Sequence, residues 1–234
     1  MHGMLVALLG SFRLLHAGHV VRMSPGAERL LAFVALHSQP VARLVVAGTL
    51  WSEVSERRAY ATLRSSLSRL DPAARRALSV DPVAVRLAEE VAVDLQDARA
   101  LAYRLLAPAP TPSEDDLSPA AVTALSRDLL PGWYEDWVLL ESEDWRQLRL
   151  HALEVLADRL TAAGRFGEAA ISARAAIRAD PLRESARACL IRVHLMEGNQ
   201  SEALRQFDRF SHILKAELGL TPTPQLRKLV ETLL

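Results

Sequence analysis

An arginine-rich segment at residues 56–70, ERRAYATLRSSLSRL, has the pattern of an amphipathic helix. At 3.6 residues per turn, four apolar side chains share about a third of the circumference and form a core face: Ala59, Leu63, Leu67 and Leu70. The opposite face carries four arginines and small hydroxyl side chains: Arg57, Arg58, Thr62, Arg64, Ser65, Ser68 and Arg69. Guanidinium groups suit phosphates and guanine edges, and small side chains let a helix backbone approach DNA. The segment therefore predicts a helix that lies in a DNA groove.

The charge distribution supports this prediction, whereas the net charge does not. The 234 residues include 28 basic and 28 acidic side chains, which gives a formal net charge of zero. A nucleic-acid-binding protein usually has a basic excess. However, residues 43–76 contain seven arginines against three acids, and residues 133–145 contain five acids and no base. The alternative is an arginine face that is only solvated, as most charged helix faces are.

The pattern around this segment predicts a winged helix preceded by a small sheet. Apolar alternation between turn residues predicts strands at residues 5–9, 12–15, 20–23, 79–80, 83–87 and 91–93. Ser24 and Pro25 are typical of a helix start and Pro40 of a helix end, so a first helix is expected between them. A second helix is expected at residues 41–50. Residues 1–93 are thus predicted to form a winged-helix DNA-binding domain.

From residue 94 onward, the hydrophobic period is that of helices. They are predicted at residues 95–106, 119–129, 142–163, 166–179, 183–197, 201–218 and 224–234, with a flexible Pro-rich, acidic loop at 107–116. A shift of 34 residues aligns four pairs: Leu156 with Leu190, Gly164 with Gly198, Glu168 with Glu202, and Ala169 with Ala203. This is the period of tetratricopeptide helix pairs, and three stacked units with capping helices are expected. Residues 94–234 are therefore predicted to be an all-α, tetratricopeptide-like domain with a grooved surface for partners.

Short motifs occur in a specific order along nearly the whole chain. In the first half they are Leu9-Gly10-Ser11-Phe12, Leu50-Trp51, Ala61-Thr62-Leu63-Arg64-Ser65, Ser68-Arg69-Leu70 and Val93-Asp94-Leu95. In the second half they are Leu129-Leu130-Pro131-Gly132 with Trp137, Ala163-Gly164-Arg165, Ala169-Ala170, Asp180-Pro181-Leu182-Arg183-Glu184, and Glu217-Leu218-Gly219 with Pro222. In this order and spacing they resemble the Streptomyces antibiotic regulatory protein family, in which an OmpR-like winged helix is joined to a bacterial transcriptional activation domain of tetratricopeptide type.

The resemblance implies a function as well as a fold. It implies a transcriptional regulator, an activator of a biosynthetic gene cluster, which binds direct repeats in the major groove of double-stranded promoter DNA. It further implies a homodimer on DNA and contact with RNA polymerase holoenzyme. Arg64 stands at the family's Thr-Leu-Arg position and is therefore the expected base-reading residue. The wing departs from the family, because its tip is only Asp81-Pro82 and its single cation is Arg86. We include Arg86 among the predicted DNA contacts.

No motif indicates catalysis, so an enzyme is not expected, and no catalytic, cofactor-binding or metal-binding residue is predicted. The seven histidines are scattered and form no metalloprotease or hydrolase signature. The single cysteine, Cys189, lies in a helical pattern and is expected to be a small buried side chain. No apolar segment is long enough to span a membrane and no signal peptide is recognisable, which favours a cytoplasmic, nucleoid-associated protein.

Two further interpretations stay open. One is a tetratricopeptide scaffold whose winged helix binds protein instead of DNA. The zero net charge and the weak wing favour the scaffold, and the arginine face favours DNA more strongly. The other concerns Trp133, Trp137 and Trp145, which lie among five acids. They are either a docking patch or aromatic anchors that pack a capping helix while the acids face water.

Overall fold

The chain folds into two compact units, as seen in a computed structural model that describes residues 3–108 and 113–233. The first unit contains the chain up to Asp97 together with Asp128–Glu143. The second contains Ala98–Arg127 and the chain from Asp144 onward. The prediction that residues 1–93 and 94–234 form two domains stays a prediction. The packing of Asp128–Glu143 with the first unit was not anticipated from the sequence.

The order of elements confirms the predicted fold class, a mainly α chain with small sheets near its beginning. The strands are β1 (Met4–Ala7), β2 (Arg13–His16), β3 (His19–Val21), β4 (Val41–Ala42), β5 (Leu78–Val80), β6 (Ala84–Leu87) and β7 (Val91–Val93). The first helices are α1 (Pro25–Leu36), α2 (Arg43–Leu50), α3 (Glu56–Ser68), α4 (Pro72–Arg76), α5 (Asp94–Leu106) and α6 (Pro119–Leu125). They are followed by α7 (Asp136–Ala162), α8 (Phe166–Ala179), α9 (Glu184–Met196), α10 (Gln200–Leu218) and α11 (Pro224–Val230).

The first sheet joins the N-terminal strands to the last strand of the first unit. Its order is β3-β2-β1-β7, with β1, β2 and β3 antiparallel and β7 parallel to β1. Directly after β7, the Asp94 carboxylate accepts hydrogen bonds from the amides of Leu8 and Leu9, at 2.7 and 3.2 Å. Residues 91–93 form a strand, as predicted, and the structure shows that its partner is β1 of the N-terminal sheet, which the sequence did not specify.

The starts of α1 and α2 follow from local chemistry. The Ser24 hydroxyl accepts a hydrogen bond from the Ala27 amide at 3.4 Å, and Pro25 occupies the first helical position, as predicted. The second helix was predicted from residue 41 but begins at Arg43. The reason is that Val41–Ala42 form β4 and pair with β6.

The arginine helix α3 packs its apolar side against α2. Three of the four predicted core residues, Ala59, Leu63 and Leu67, are buried. Leu70 is only half-buried, because α3 ends at Ser68 and Leu70 lies beyond it. The predicted helical face is therefore formed over the residues that are helical.

The second unit contains two helix pairs, α7 with α8 and α9 with α10. The Ser172 hydroxyl on α8 donates to the Leu153 carbonyl on α7 at 2.8 Å, in a buried contact. Gly164 and Gly198, which follow the first helix of each pair, have φ values of 73° and 83°, where glycine is favoured. Of the predicted third helix pair, the described residues contain only one helix, α11, which packs on α9 and α10.

The predicted acidic loop at residues 107–116 ends in a partly buried ion pair. Arg104 donates two hydrogen bonds to Oδ1 of Asp116, at 2.7 and 3.1 Å. These bonds hold the pKa of the Asp116 carboxyl below its usual value, although burial opposes the effect. Residues 109–112 of this loop lie outside the described residues. Asp116 therefore ties α5 to the segment before α6.

Candidate nucleic-acid interface

The solvent-facing side of α3 and its C-terminal cap carry all seven predicted DNA contacts of residues 56–70. Six of them are exposed and Ser65 is half-buried. Helical spacing arranges this side in two rows, one with Arg57, Ala61, Arg64 and Ser68, the other with Arg58, Thr62, Ser65 and Arg69. Arginines therefore border the face, and small side chains run along its centre.

The four guanidinium groups of this face are available for an external anion. Within residues 3–108 and 113–233, none of Arg57, Arg58, Arg64 and Arg69 forms an ion pair. Each can present up to five N–H donors in a planar fork that matches phosphate or guanine acceptors. The face thus has positive charge that the rest of the described chain does not neutralise.

Two of the hydroxyl groups are partly occupied by the helix itself. Thr62 Oγ1 donates to the Arg58 carbonyl, and Ser68 Oγ donates to the Ser65 carbonyl, both at 2.9 Å. A hydroxyl must give up this bond before it can donate its proton to a phosphate oxygen. We therefore expect Thr62 and Ser68 to contribute less to DNA affinity than the arginines.

Two of the clefts that flank α3 border its predicted DNA contacts. One, of about 200 Å³, lies beside the start of α1 and is lined by Ser24, Gly26, Ala27, Thr62, Ser65, Ser66, Arg69 and Leu70. The other, of about 680 Å³, lies between α3 and the start of α2. We call it the Leu44 cleft, and it is lined by Leu44, Glu56, Arg57, Tyr60, Ala61 and Arg64.

Arg43, which the sequence does not single out, connects the wing to α3. Its guanidinium lies over the Tyr60 ring, 5.4 Å from the centroid, and Nη1 donates to the Asp81 carbonyl at 3.5 Å. Its backbone amide donates to the Val83 carbonyl at 2.8 Å. In the sequence, the only hint of this contact is the aromatic residue Tyr60, which lies between Arg58 and Arg64. Arg43 therefore positions the wing tip and is itself half-buried.

The wing is the antiparallel sheet β4-β6-β5, and its hairpin is short. Oδ1 of Asp81 accepts hydrogen bonds from the amides of Val83 and Ala84, both at 2.7 Å, and these bonds lower the pKa of Asp81. Arg86, the predicted wing contact, lies on β6 with Nη1 at 3.6 Å from Oε1 of Glu89. The wing cation thus has a carboxylate oxygen within 4 Å, whereas, among the described residues, the four arginines of α3 form no such ion pair.

The tryptophans at residues 133 and 137 anchor their segment within the first unit. Trp137 contacts Phe33 of α1 edge-to-face at 5.2 Å between centroids, and Trp133 lies 6.2 Å from Trp137. Glu135 of the same segment pairs with Arg29 of α1 at 2.9 Å. In the second unit, Trp145 is fully buried and its Nε1 donates to a backbone carbonyl. These contacts favour aromatic anchors over a docking patch.

The described residues hold no group of three or more potential metal ligands. Cys189 is buried, and burial raises the pKa of its thiol to about 12. A thiol with that pKa is protonated near neutrality and is a poor nucleophile. In addition, none of the described helices has both the length and the apolar character that a membrane span requires.

Comparison with known proteins links this architecture to transcription. Residues 119–234 match the family described as bacterial transcriptional activator domain. Regulatory protein AfsR of Streptomyces griseus is 30% identical over 231 residues, and that of Streptomyces coelicolor is 30% identical over 224 residues. Each match covers 90% of this chain but only 22% of the relative. Mycobacterium tuberculosis EmbR, solved with a low-affinity phosphopeptide, matches at TM-score 0.67 and 22% identity over 98% of this chain and 64% of that chain, which shows the fold alone.

Residues 119–234 thus carry a domain whose class is that of bacterial transcriptional activators. The similarity of 90% of this chain to the two AfsR regulators, together with the matched activator domain, confirms the resemblance to the Streptomyces antibiotic regulatory protein family that the motifs indicated. This family is one of regulators and not of enzymes.

Proposed function

We propose that the protein is a sequence-specific activator that places α3 in the major groove of double-stranded promoter DNA. The observation that carries the proposal is the exposed face of α3, where guanidinium groups that form no ion pair within residues 3–108 and 113–233 border a centre of small side chains. The major groove admits an α-helix, and arginine donors match both phosphate oxygens and the O6 and N7 atoms of guanine. The proposed contacts are Arg57, Arg58, Thr62, Arg64, Ser65, Ser68, Arg69 and, from the wing, Arg86.

A homodimer on direct repeats is the arrangement that we propose on DNA. One recognition helix reads only a few base pairs, and selection of one site in a genome needs more. Membership of the family supports activation of a biosynthetic gene cluster through contact between the helical unit and RNA polymerase holoenzyme. The activity would be exerted at the nucleoid in the cytoplasm, by binding and without a cofactor or a reaction.

The second candidate function is a tetratricopeptide scaffold whose winged helix does not bind DNA. The observation in its favour is the wing, where Arg86 has Glu89 as a neighbour and the hairpin tip is held by Asp81. A wing of this kind has little free positive charge for a phosphate. The scaffold does not account for the unpaired arginines of α3.

The experiment is a titration of promoter DNA from the source genome with the intact chain at several salt concentrations. If about four to six phosphates are neutralised, the slope of log affinity against log salt is about −4 to −5. A slope near zero, or no DNA binding at low salt, would refute the proposal and leave the scaffold. A footprint over only one half-site at saturation would count against the dimer on direct repeats.

A further inference from the structure

The Leu44 cleft has apolar walls beside the predicted DNA contacts of α3. Leu44 is 56% exposed. Ala61, in the exposed centre of α3, also lines the cleft. Half-buried Tyr60 lines it too, and the Arg43 guanidinium lies over the Tyr60 ring, 5.4 Å from its centroid. The structure thus exposes apolar surface at the edge of a face whose other groups suit phosphates.

The charges around this cleft restrict what can occupy it. Arg57 and Arg64 also line it and bring a polyanion close. Glu56 lines it too, and its carboxylate repels a phosphate oxygen that would enter the cleft. An uncharged, partly apolar group of a polyanion fits both conditions. In the major groove of DNA, the C5-methyl group of thymine is the apolar group that base pairs present.

We infer that the Leu44 cleft reads thymine, and that a thymine C5-methyl group packs between Leu44 and Ala61 when α3 lies in the major groove. This inference rests on the proposed function and specifies a base for it. Ala61 belongs both to the centre of α3 and to the cleft wall. Because Ala61 and Leu44 line the same cleft, a methyl group that enters it beside Ala61 is expected to contact Leu44. Leu44 is then a specificity-determining residue outside the recognition helix.

The test compares thymine with deoxyuridine, which lacks only the methyl group. The probe is a duplex recovered with the intact chain from a pool of randomised DNA, and each thymine of its bound site is replaced singly. Loss of one packed methyl group is expected to weaken binding about fourfold at one or two positions. Leu44→Ala should weaken binding to the thymine duplex by a similar factor. The affinity of this variant should no longer change when deoxyuridine replaces thymine at those positions. Leu44→Met, which keeps an apolar side chain, should still respond.

Val45→Ala is the matched control. Val45 is the next residue of α2 and is 53% exposed; it lines a neighbouring cleft together with Leu44, but it does not line the Leu44 cleft. This variant should bind with unchanged affinity and keep the response to deoxyuridine. Both substitutions are at exposed helix positions, so circular dichroism should show both variants folded.

Three results would overturn the inference. If wild type binds its selected duplex but is indifferent to every deoxyuridine, the cleft does not read thymine, although DNA binding stands. If Leu44→Ala keeps the response to deoxyuridine and instead loses transcription in vitro, the cleft binds a protein partner. If the pool yields no bound DNA, the proposed function fails together with the inference.

Discussion

Replacement of single arginines on α3 should separate the contacts that hold phosphates from those that read bases. If Arg57, Arg58, Arg69 and the wing residue Arg86 each contact one phosphate, the salt slope is about −4, and removal of one of them should bring it to about −3. We expect this result for Arg58→Ala, with an unchanged preference for the specific sequence. Arg64→Ala should instead reduce discrimination by about 1–3 kcal/mol, or roughly 5-fold to 150-fold, because one arginine–guanine contact has that value.

The assay is fluorescence anisotropy with a specific and a scrambled duplex, each at four or more salt concentrations. Arg178→Ala is the control, because it removes the same charge from an exposed position on α8. It should change neither the slope nor the ratio of the two affinities. All three side chains are exposed, so stability should change by less than about 0.5 kcal/mol. If Arg64→Ala kept both its affinity and its sequence preference, the assignment of Arg64 to a base would be wrong.

Three further predictions concern the second unit. Ala169 is fully buried, so Ala169→Trp should overpack α8 and lower the free energy of unfolding by at least about 1–3 kcal/mol, measured by denaturant titration of the intact chain. Asp116→Asn should lower the free energy of unfolding at pH 7, because the folded state lowers the pKa of the Asp116 carboxyl. The extra stability of wild type should be present above the unfolded pKa of about 4 and should disappear as pH falls through the pKa of folded Asp116. A variant deficit that stayed constant down to pH 2 would contradict this assignment. With a thiol pKa of about 12, Cys189 should resist iodoacetamide at pH 8 and be alkylated only in denaturant, as mass spectrometry can show.

The sequence correctly predicted features that depend on a single helix. The period of α3 predicted its buried and exposed sides, because the 3.6-residue repeat is local information. The prediction that Leu70 belongs to the buried face was wrong, because α3 ends two residues earlier, at Ser68. The same locality explains the success with Ser24 and Pro25, since a helix cap involves only neighbouring residues.

Features that depend on distant partners were not predictable in this way. The pairing of β7 with β1 joins residues 91–93 to residues 4–6, and nothing in a three-residue strand specifies its neighbour. Arg43 was counted in the charge cluster, but its position over Tyr60 depends on how α2 packs on α3. The sequence likewise offered Arg86 as the wing cation, whereas its proximity to Glu89 follows from the bend after β6.

The packing of residues 128–143 determines how DNA binding and activation can be separated. The Gly10 amide donates to the Asp128 carbonyl at 2.8 Å, and the Leu130 amide donates to the Leu8 carbonyl at 2.9 Å. Trp137 covers Phe33, which is only 3% exposed. A fragment that ends at residue 93 loses these contacts, so it exposes apolar surface of α1 and leaves two backbone hydrogen bonds unmade. Failure of such a fragment to bind DNA would therefore reflect a damaged first unit and would say nothing about α3, whereas Arg64→Ala and Leu44→Ala test the interface while residues 128–143 stay in place.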